Sequence, residues 1–312
     1  MSKALNDLGE RSAALSVDFG EGEQASGATS LHIATPWLGG ASREEIFSAA
    51  TLISSEDGLR LYRCGSLLLG HVHDPFVERE LAARTQSVYA RLLRICEGRH
   101  LFRIWNYVPR INALTDGLEN YRAFCQGRSL AFEQSFGADF QSLLPAASAV
   151  GSHGSHLDVI FVAGKTRPRH FENPVQVPAY LYPIQHGPRS PSFARATVAH
   201  DGERTLTFIS GTAAIRGHET VAPGSLDEQL ECTLENLRLI SAAAGIGEQL
   251  AAGASARRFF KIYLRHASDF AAVRAQLDRT LLQPQDTVIY LQTDICREAL
   301  NVEIEATLVG AG

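Results

Sequence analysis

The sequence is short of the features that mark several large function classes. No apolar run reaches membrane-spanning length, since the best candidates, Ser66 to Gly70 and Val159 to Ala163, are strand-sized. Basic residues do not prevail: the net charge is -5, and the arginines around Arg169 form the one modest basic cluster. That is too little for a stripe tracking a phosphate backbone. Neither a membrane nor a nucleic acid is therefore expected as a partner. The five cysteines are odd in number and lack paired spacing, so they read as reduced thiols rather than a disulfide framework. There is no C-x-x-C, no H-E-x-x-H and no His/Asp cluster with ligand spacing. His71 and His73 form an H-x-H, and His153 and His156 lie in a Gly/Ser turn; both pairs read as surface histidines. No metal and no cofactor is expected. The N-terminus, Met1 to Ala28, lacks the charged-then-apolar order of a secretory signal. Polar, acidic and rich in Gly and Ser, it reads as a frayed leader on a cytoplasmic protein.

What remains is an ordinary globular composition, 45% hydrophobic over 312 residues, with room for two domains. In the first half, Leu59 to Cys64 and Ser66 to His71 read as short strands after the Asp57-Gly58 turn. Val77 to Cys96 carries apolar residues at helical spacing, with Gly98 as a stop. Leu101 to Val108 is a strand of bulky residues, and Leu118 to Ser135 a second helix. Pro145 to Gly154, rich in Ala, Ser and Gly, reads as a linker. Beyond the strand Leu157 to Ala163 comes a proline-rich passage, Pro168 to Pro191, which cannot be a helix interior or a central strand. An ordered loop of that length suits a segment that covers a site.

The second half repeats this order. Phe193 to Val198 and Thr205 to Ile209 are strands around Asp201-Gly202, a hairpin turn. Ser210 to Ala214 is a turn of small residues. Ser225 caps a helix from Leu226 to about Ala243, with Glu228 completing a capping box. Ala256 to Arg265 is a strand, Phe270 to Leu282 a helix, and Thr287 to Thr293 another strand. L-L-L-G-H-V in the first half answers F-I-S-G-T-A in the second, and F-R-I-W-N-Y-V answers R-F-F-K-I-Y-L. The pattern predicts two similar α+β domains, residues 1–150 and 151–312, each a mostly antiparallel sheet with helices on one face. Each sheet then leaves its other face to pack against its sister.

The closing strand, Asn301 to Thr307, carries the chemistry. Val302, Ile304 and Ala306 point to one side, Glu303 and Glu305 to the other. A carboxyl group lining a half-buried cleft has its pKa raised by desolvation, which suits it to donate a proton near neutral pH. Glu303 is the candidate acid. Glu305 is either a like-charge neighbour that raises the pKa of Glu303 or a solvated end-of-strand residue, and the second is expected.

From about Pro191 to the end the chain resembles the YjgF/RidA superfamily, through P-S-F-A-R-A, T-F-I-S-G-T-A, D-E-Q-L-E-C-T-L-E-N-L, F-F-K-I-Y-L and V-E-I-E-A. It departs where imine-deaminating members carry P-A-R-S: here Pro284-Gln285-Asp286-Thr287 puts an aspartate in place of the arginine. As a whole the chain resembles the chorismatase family. W-N-Y-V-P-R-I-N, E-N-Y-R-A-F-C-Q-G-R, G-P-R-S-P-S-F-A-R-A, S-G-T-A-A-I-R-G-H and D-I-C-R-E-A-L-N-V-E-I-E carry that likeness. The resemblance implies two YjgF/RidA-like (chorismate-mutase-like) domains and a cofactor-free enzyme acting on chorismate. It also implies that Glu303 is the catalytic acid.

Chorismate bears two carboxylates, so its site needs cationic anchors, for which arginine's fork is well shaped. Arg189 and Arg195, at the end of the proline-rich passage, are the candidate anchors. Tyr180 is a candidate carboxylate donor, Tyr182 a lid aromatic and Phe193 a further substrate contact. Gly211, Thr212, Ala213 and Ala214 would form a wall with exposed backbone N–H groups. Cys296 has no base beside it in sequence and reads as a soft wall residue; the resemblance associates a cysteine here with hydroxybenzoate formation. His218, Arg216 and Arg297 are taken as surface groups. The expected products are 3-hydroxybenzoate and pyruvate, with 4-hydroxybenzoate also compatible with the family. The alternatives are hydrolysis to a dihydroxycyclohexadiene carboxylate, or a non-catalytic small-molecule binding module. A doubled domain replaces contacts that single-domain relatives draw from neighbouring subunits, so a monomer is expected.

Overall fold

Alternation along the strands sorts the apolar residues into three layers in the computed structural model, which describes residues 13–202, 204–253 and 255–311. The middle layer lies between two sheets and includes Tyr62, Phe102, Trp105, Phe208 and Tyr263. An outer layer joins the first sheet to helices α1 (Leu81–Ile95) and α2 (Asn120–Phe136) through residues such as Tyr89, Leu92, Phe124 and Phe132. The third joins the second sheet to α3 (Leu226–Ala243) and α4 (Phe270–Thr280), through Leu237, Ile240, Val273 and Leu277. The α+β class and the two sheet-and-helix units expected from the sequence are both present. Among the described residues, no helix is long and apolar enough to cross a membrane.

The first sheet has eight strands, in the spatial order Ala146–Ser152, His100–Pro109, His156–Gly164, Leu67–Pro75, Leu59–Cys64, Arg43–Glu56, Ala13–Gly20 and Ser30–Ala34. The second has seven: Arg169–Phe171, Ala196–Asp201, Arg204–Ala213, Val302–Ala311, Arg257–Leu264, Thr287–Gln292 and Trp37–Gly40. The terminal strand is thus central, flanked by Arg204–Ala213 and Arg257–Leu264, both antiparallel to it. Val302, Ile304, Ala306 and Leu308 face the helices, and Glu303 and Glu305 face the opposite sheet. Helix α3 has the bounds its sequence predicts, and the Ser225 side chain accepts from the backbone N–H of Glu228.

Several expectations are corrected. Ala13–Gly20 is a strand, not part of a frayed leader, because Leu15, Val17 and Phe19 alternate onto the core inside a polar stretch; Met1 to Arg11 and Ser12 lie outside the described residues. Pro145 to Gly154 is no linker. Its residues Ala146–Ser152 form a strand parallel to His100–Pro109. Its small side chains let the second half approach so closely that the backbone N–H groups of Ala146 and Ala147 donate to Thr197 Oγ1 and Ser210 Oγ, at 2.8 and 2.9 Å. His156–Gly164, read as the start of the second half, lies inside the first sheet, and Trp37–Gly40 crosses to the edge of the second. Ser210 to Ala213 continues a strand rather than turning, with a bulge between Ile209 and Thr212.

Asp286, the residue at the departure from P-A-R-S, has a structural partner. Its side chain is buried, and Arg258 grips it with two bonds, Nε donating to Oδ1 at 2.8 Å and an NH2 group to Oδ2. The remaining arginine donors go to the carbonyls of Gln249, Leu250 and Leu281. Arg258→Ala is expected to lower unfolding free energy by about 3–5 kcal/mol, because it strands a buried carboxylate. Denaturant unfolding measures this, and an unchanged midpoint would show that the pair does not hold this corner of the fold.

Candidate active site

Glu303 is 3% exposed and Glu305 2% exposed, and their surroundings differ. Glu305 is not a solvated end-of-strand residue. Arg103 donates to its Oε2 at 2.7 Å, Ser148 to the same oxygen at 2.6 Å, and Trp105 Nε1 to its Oε1 at 2.7 Å. Lys261, directly across the sheet, stands 3.0 Å from it and 2.6 Å from Glu44. Burial alone would raise the pKa of Glu305, but Lys261 and Arg103 outweigh it and hold the carboxyl below its ordinary range.

Glu303 has no such company. Its Oε1 has no hydrogen-bond partner, and its Oε2 is 3.9 Å from Cys296 Sγ. Burial, and then the charge of Glu305, push its pKa up to about 8 against the pull of Arg103 and Arg195. Two carboxyls on one strand are thereby driven apart, one ionised and one neutral at pH 7. Cys296 is held well above the usual thiol range by burial and by Glu303, so it is no thiolate nucleophile.

Glu303 opens on a cavity of about 750 Å³ at the seam of the two halves. Arg195, Phe193, Gly211, Ala213 and Cys296 line it with Glu303. Strand alternation explains why Thr212 and Ala214 do not: they are buried on the other face. Arg189 is outside as well, partly exposed and paired with Glu133 of α2 at 2.7 Å. Tyr180 is outside too, on the far side of a 3-10 turn (Ala179–Leu181), and Tyr182 takes its place at the cavity. The proline-rich passage covers the cavity, as its length suggests, through Tyr182, His186 and Pro191.

Arg195 is 5% exposed, and one of its NH2 groups donates to Tyr182 Oη at 2.7 Å. Its Nε has no partner. Arg297, taken from sequence as a surface group, lines the same cavity and donates to the His218 carbonyl at 2.9 Å. Its guanidinium lies 5.3 Å from the centre of the Tyr182 ring, and that of Arg195 5.9 Å from it. The first half adds Asn112, Glu119, Tyr121 and Arg122 to the wall. No spacing in the sequence links these to Glu303; only the packing of the sheets does.

Among the described residues, two groups of side chains stand close enough to hold a metal ion. Asp158 lies between His71 and His73, its Oδ1 2.7 Å from a ring nitrogen of each, so a His/Asp cluster exists that linear spacing conceals. His71 is buried, which corrects its reading as a surface histidine. His186 and His218 meet at 3.0 Å beside Glu219. In both groups each of these ring nitrogens already has a hydrogen-bond or ion-pair partner within the group.

Comparison with known proteins agrees with this geometry. Residues 45–163 match the model of the N-terminal part of FkbO/Hyg5-like chorismatases. A chorismatase of Streptomyces rapamycinicus is 38% identical over 272 residues, covering 81% of this chain and 78% of its own length. The chain belongs to the chorismatase family. A 3-hydroxybenzoate synthase of Streptomyces hygroscopicus is 38% identical over 237 residues, covering 72% of this chain and 69% of its own. A chorismatase crystal structure superposes with a TM-score of 0.80 at 30% identity, covering 98% of this chorismatase and 96% of its own chain.

In this chorismatase Gly211 makes room for the Glu303 carboxyl: a Cβ there would lie 2.0 Å from Oε1. Gly211→Ala is expected to displace that carboxyl and lower turnover by about 10²-fold, the scale of a small misplacement of a reacting group. Its far-UV circular dichroism should match wild type. Turnover within a few-fold of wild type would show that the position of Glu303 is not critical.

Proposed function

We propose that this chorismatase converts chorismate to 3-hydroxybenzoate and pyruvate, with Glu303 as general acid. The observation that carries the proposal is a buried carboxyl at the wall of the seam cavity, its Oε1 without a hydrogen-bond partner and its pKa raised to about 8. A group that is neutral at pH 7 and titrates near it is matched to proton donation. The names of the relatives supply the substrate class.

Arg195 and Arg297, both close to the Tyr182 ring, are the anchors for the two carboxylates, in place of the Arg189 expected from sequence. Phe193 packs on the ring. Glu303 protonates the enolpyruvyl methylene, and the resulting oxocarbenium makes pyruvate a leaving group. The ring 4-hydroxyl attacks C3 and gives up its proton, the C3–ether bond breaks, and pyruvate departs as the ketone. The epoxide left behind opens at C4 and loses a ring proton to form the phenol. No water is consumed, and the atoms of chorismate equal those of the two products. Asn112, Tyr121 and Tyr182 are among the lining residues with a hydroxyl or amide side chain, whereas Gly211, Ala213, Phe193 and Cys296, which line the cavity with Glu303, offer neither to hold a water. The substrate's own hydroxyl, already positioned, therefore has the advantage over solvent.

Glu303→Gln is expected to lower turnover at least ~10²-fold. Because the protonated acid is the active form, wild-type kcat/KM should fall as pH rises through about 8. Reaction in ¹⁸O-water tests the route: the phenol oxygen should carry no label. Label in the ring oxygen, or a dihydrodiol as sole product, would mean that water ends the reaction. No pyruvate above the uncatalysed rate would leave a binding module instead of an enzyme.

A further inference from the structure

Behind the Phe193–Arg195 segment lies a second cavity, of about 700 Å³, nearly as large as the first. Its size is that of a small-molecule site. It forms where the end of α1, the Phe140–Leu143 turn and the strand Arg169–Phe171 converge, with Leu93, Leu101, Phe136 and Leu143 as an apolar floor. The reaction derived above makes no use of it.

Its charged lining is mixed: Glu97 is acidic, and Arg99 and Arg167 bring positive charge. His170 registers that charge: burial, then His100 and Arg167, depress its pKa to about 4, so its ring is neutral at pH 7. Glu172 lines it too, and its Oε2 is buried without a hydrogen-bond partner. Burial raises its pKa to about 7 although Arg195 opposes the shift. A buried acceptor left unpaired costs free energy that a ligand's donor would remove.

We propose that this cavity is a second small-molecule site, taking an aromatic carboxylate that bears a hydroxyl group, and that its occupancy acts on the first cavity through Arg195. The ring lies on the apolar floor, the carboxylate turns to Arg99 and Arg167, and the hydroxyl donates to Glu172. The two cavities share a wall. Ala194 lines the second while Phe193 and Arg195 line the first, and Tyr180 lines the second while Tyr182 lines the first. A hydroxyl donated to Glu172 favours its ionised form. An ionised Glu172 draws the Arg195 guanidinium away from the first cavity, so the ligand weakens substrate binding. This last effect rests on Arg195 being a substrate anchor; the binding itself does not.

The test uses 3-hydroxybenzoate as probe and two variants at exposed positions on the rim, Ser142→Trp to fill the mouth and Arg167→Glu to reverse its charge. Calorimetric titration of wild type should show a binding component beyond any at the first cavity. That component should be absent from Ser142→Trp and weakened at least about tenfold in Arg167→Glu, the scale of one charged hydrogen bond. Without added ligand, kcat and KM for chorismate should equal wild type in both. Inhibition by added 3-hydroxybenzoate should be weaker in both than in wild type. Identical isotherms for the three proteins would overturn the site, whether or not chorismate is turned over. Equal inhibition of all three would overturn the link through Arg195.

Discussion

Glu305 stands at the middle of the seam between the sheets, and the fold spends four donors on keeping it ionised. Arg103, Trp105 and Ser148 reach it from the first sheet and Lys261 from the second, so the two halves are joined by one buried carboxylate. Burial works against the charge of Lys261, but Glu305 and Glu44 override it and hold the ammonium above its ordinary pKa. Glu44, at the outer end of the cluster, is raised by burial despite that ammonium 2.6 Å away. The cluster thus has a firmly ionised centre and a softer edge. Its local consequence is at Glu303, two residues along the same face. With the nearby cations committed to Glu305, desolvation and repulsion leave Glu303 neutral.

This arrangement separates what reads linearly from what does not. The strand period brings Glu303 and Glu305 to one face whatever the rest of the chain does, so the pair of carboxyls is legible in N-V-E-I-E-A-T. Helix α3 is legible from its cap and its apolar stripe. The environment of Glu305 is not, because Arg103 and Ser148 are 202 and 157 residues away and meet it only after the sheets stack. The same limit hides Arg297 and Asp158, whose partners come from other elements. Composition misleads where small residues have a packing role. Ala146–Ser152 carries no apolar period yet is a buried strand, because the second half lies against its edge.

The seam also explains why neither half suffices for the site. Gly211 and Glu303 come from the second sheet and Arg195 from the bend that leads into it, while Asn112, Glu119 and Tyr121 close the cavity from the first half. The bulge between Ile209 and Thr212 places Gly211 against the Glu303 carboxyl, where no larger residue fits. The proline-rich passage then spans both cavities, with Tyr182 at one and Tyr180 at the other.

Glu303 is a neutral acid at pH 7 because Glu305 beside it is not. Infrared difference spectra between wild type and Glu303→Gln, recorded as a function of pH, read that protonation state directly. Wild type is expected to show a protonated-carboxyl C=O band at pH 7 that is absent from the variant and fades as pH rises through about 8. A difference spectrum at pH 7 containing only carboxylate bands would contradict it.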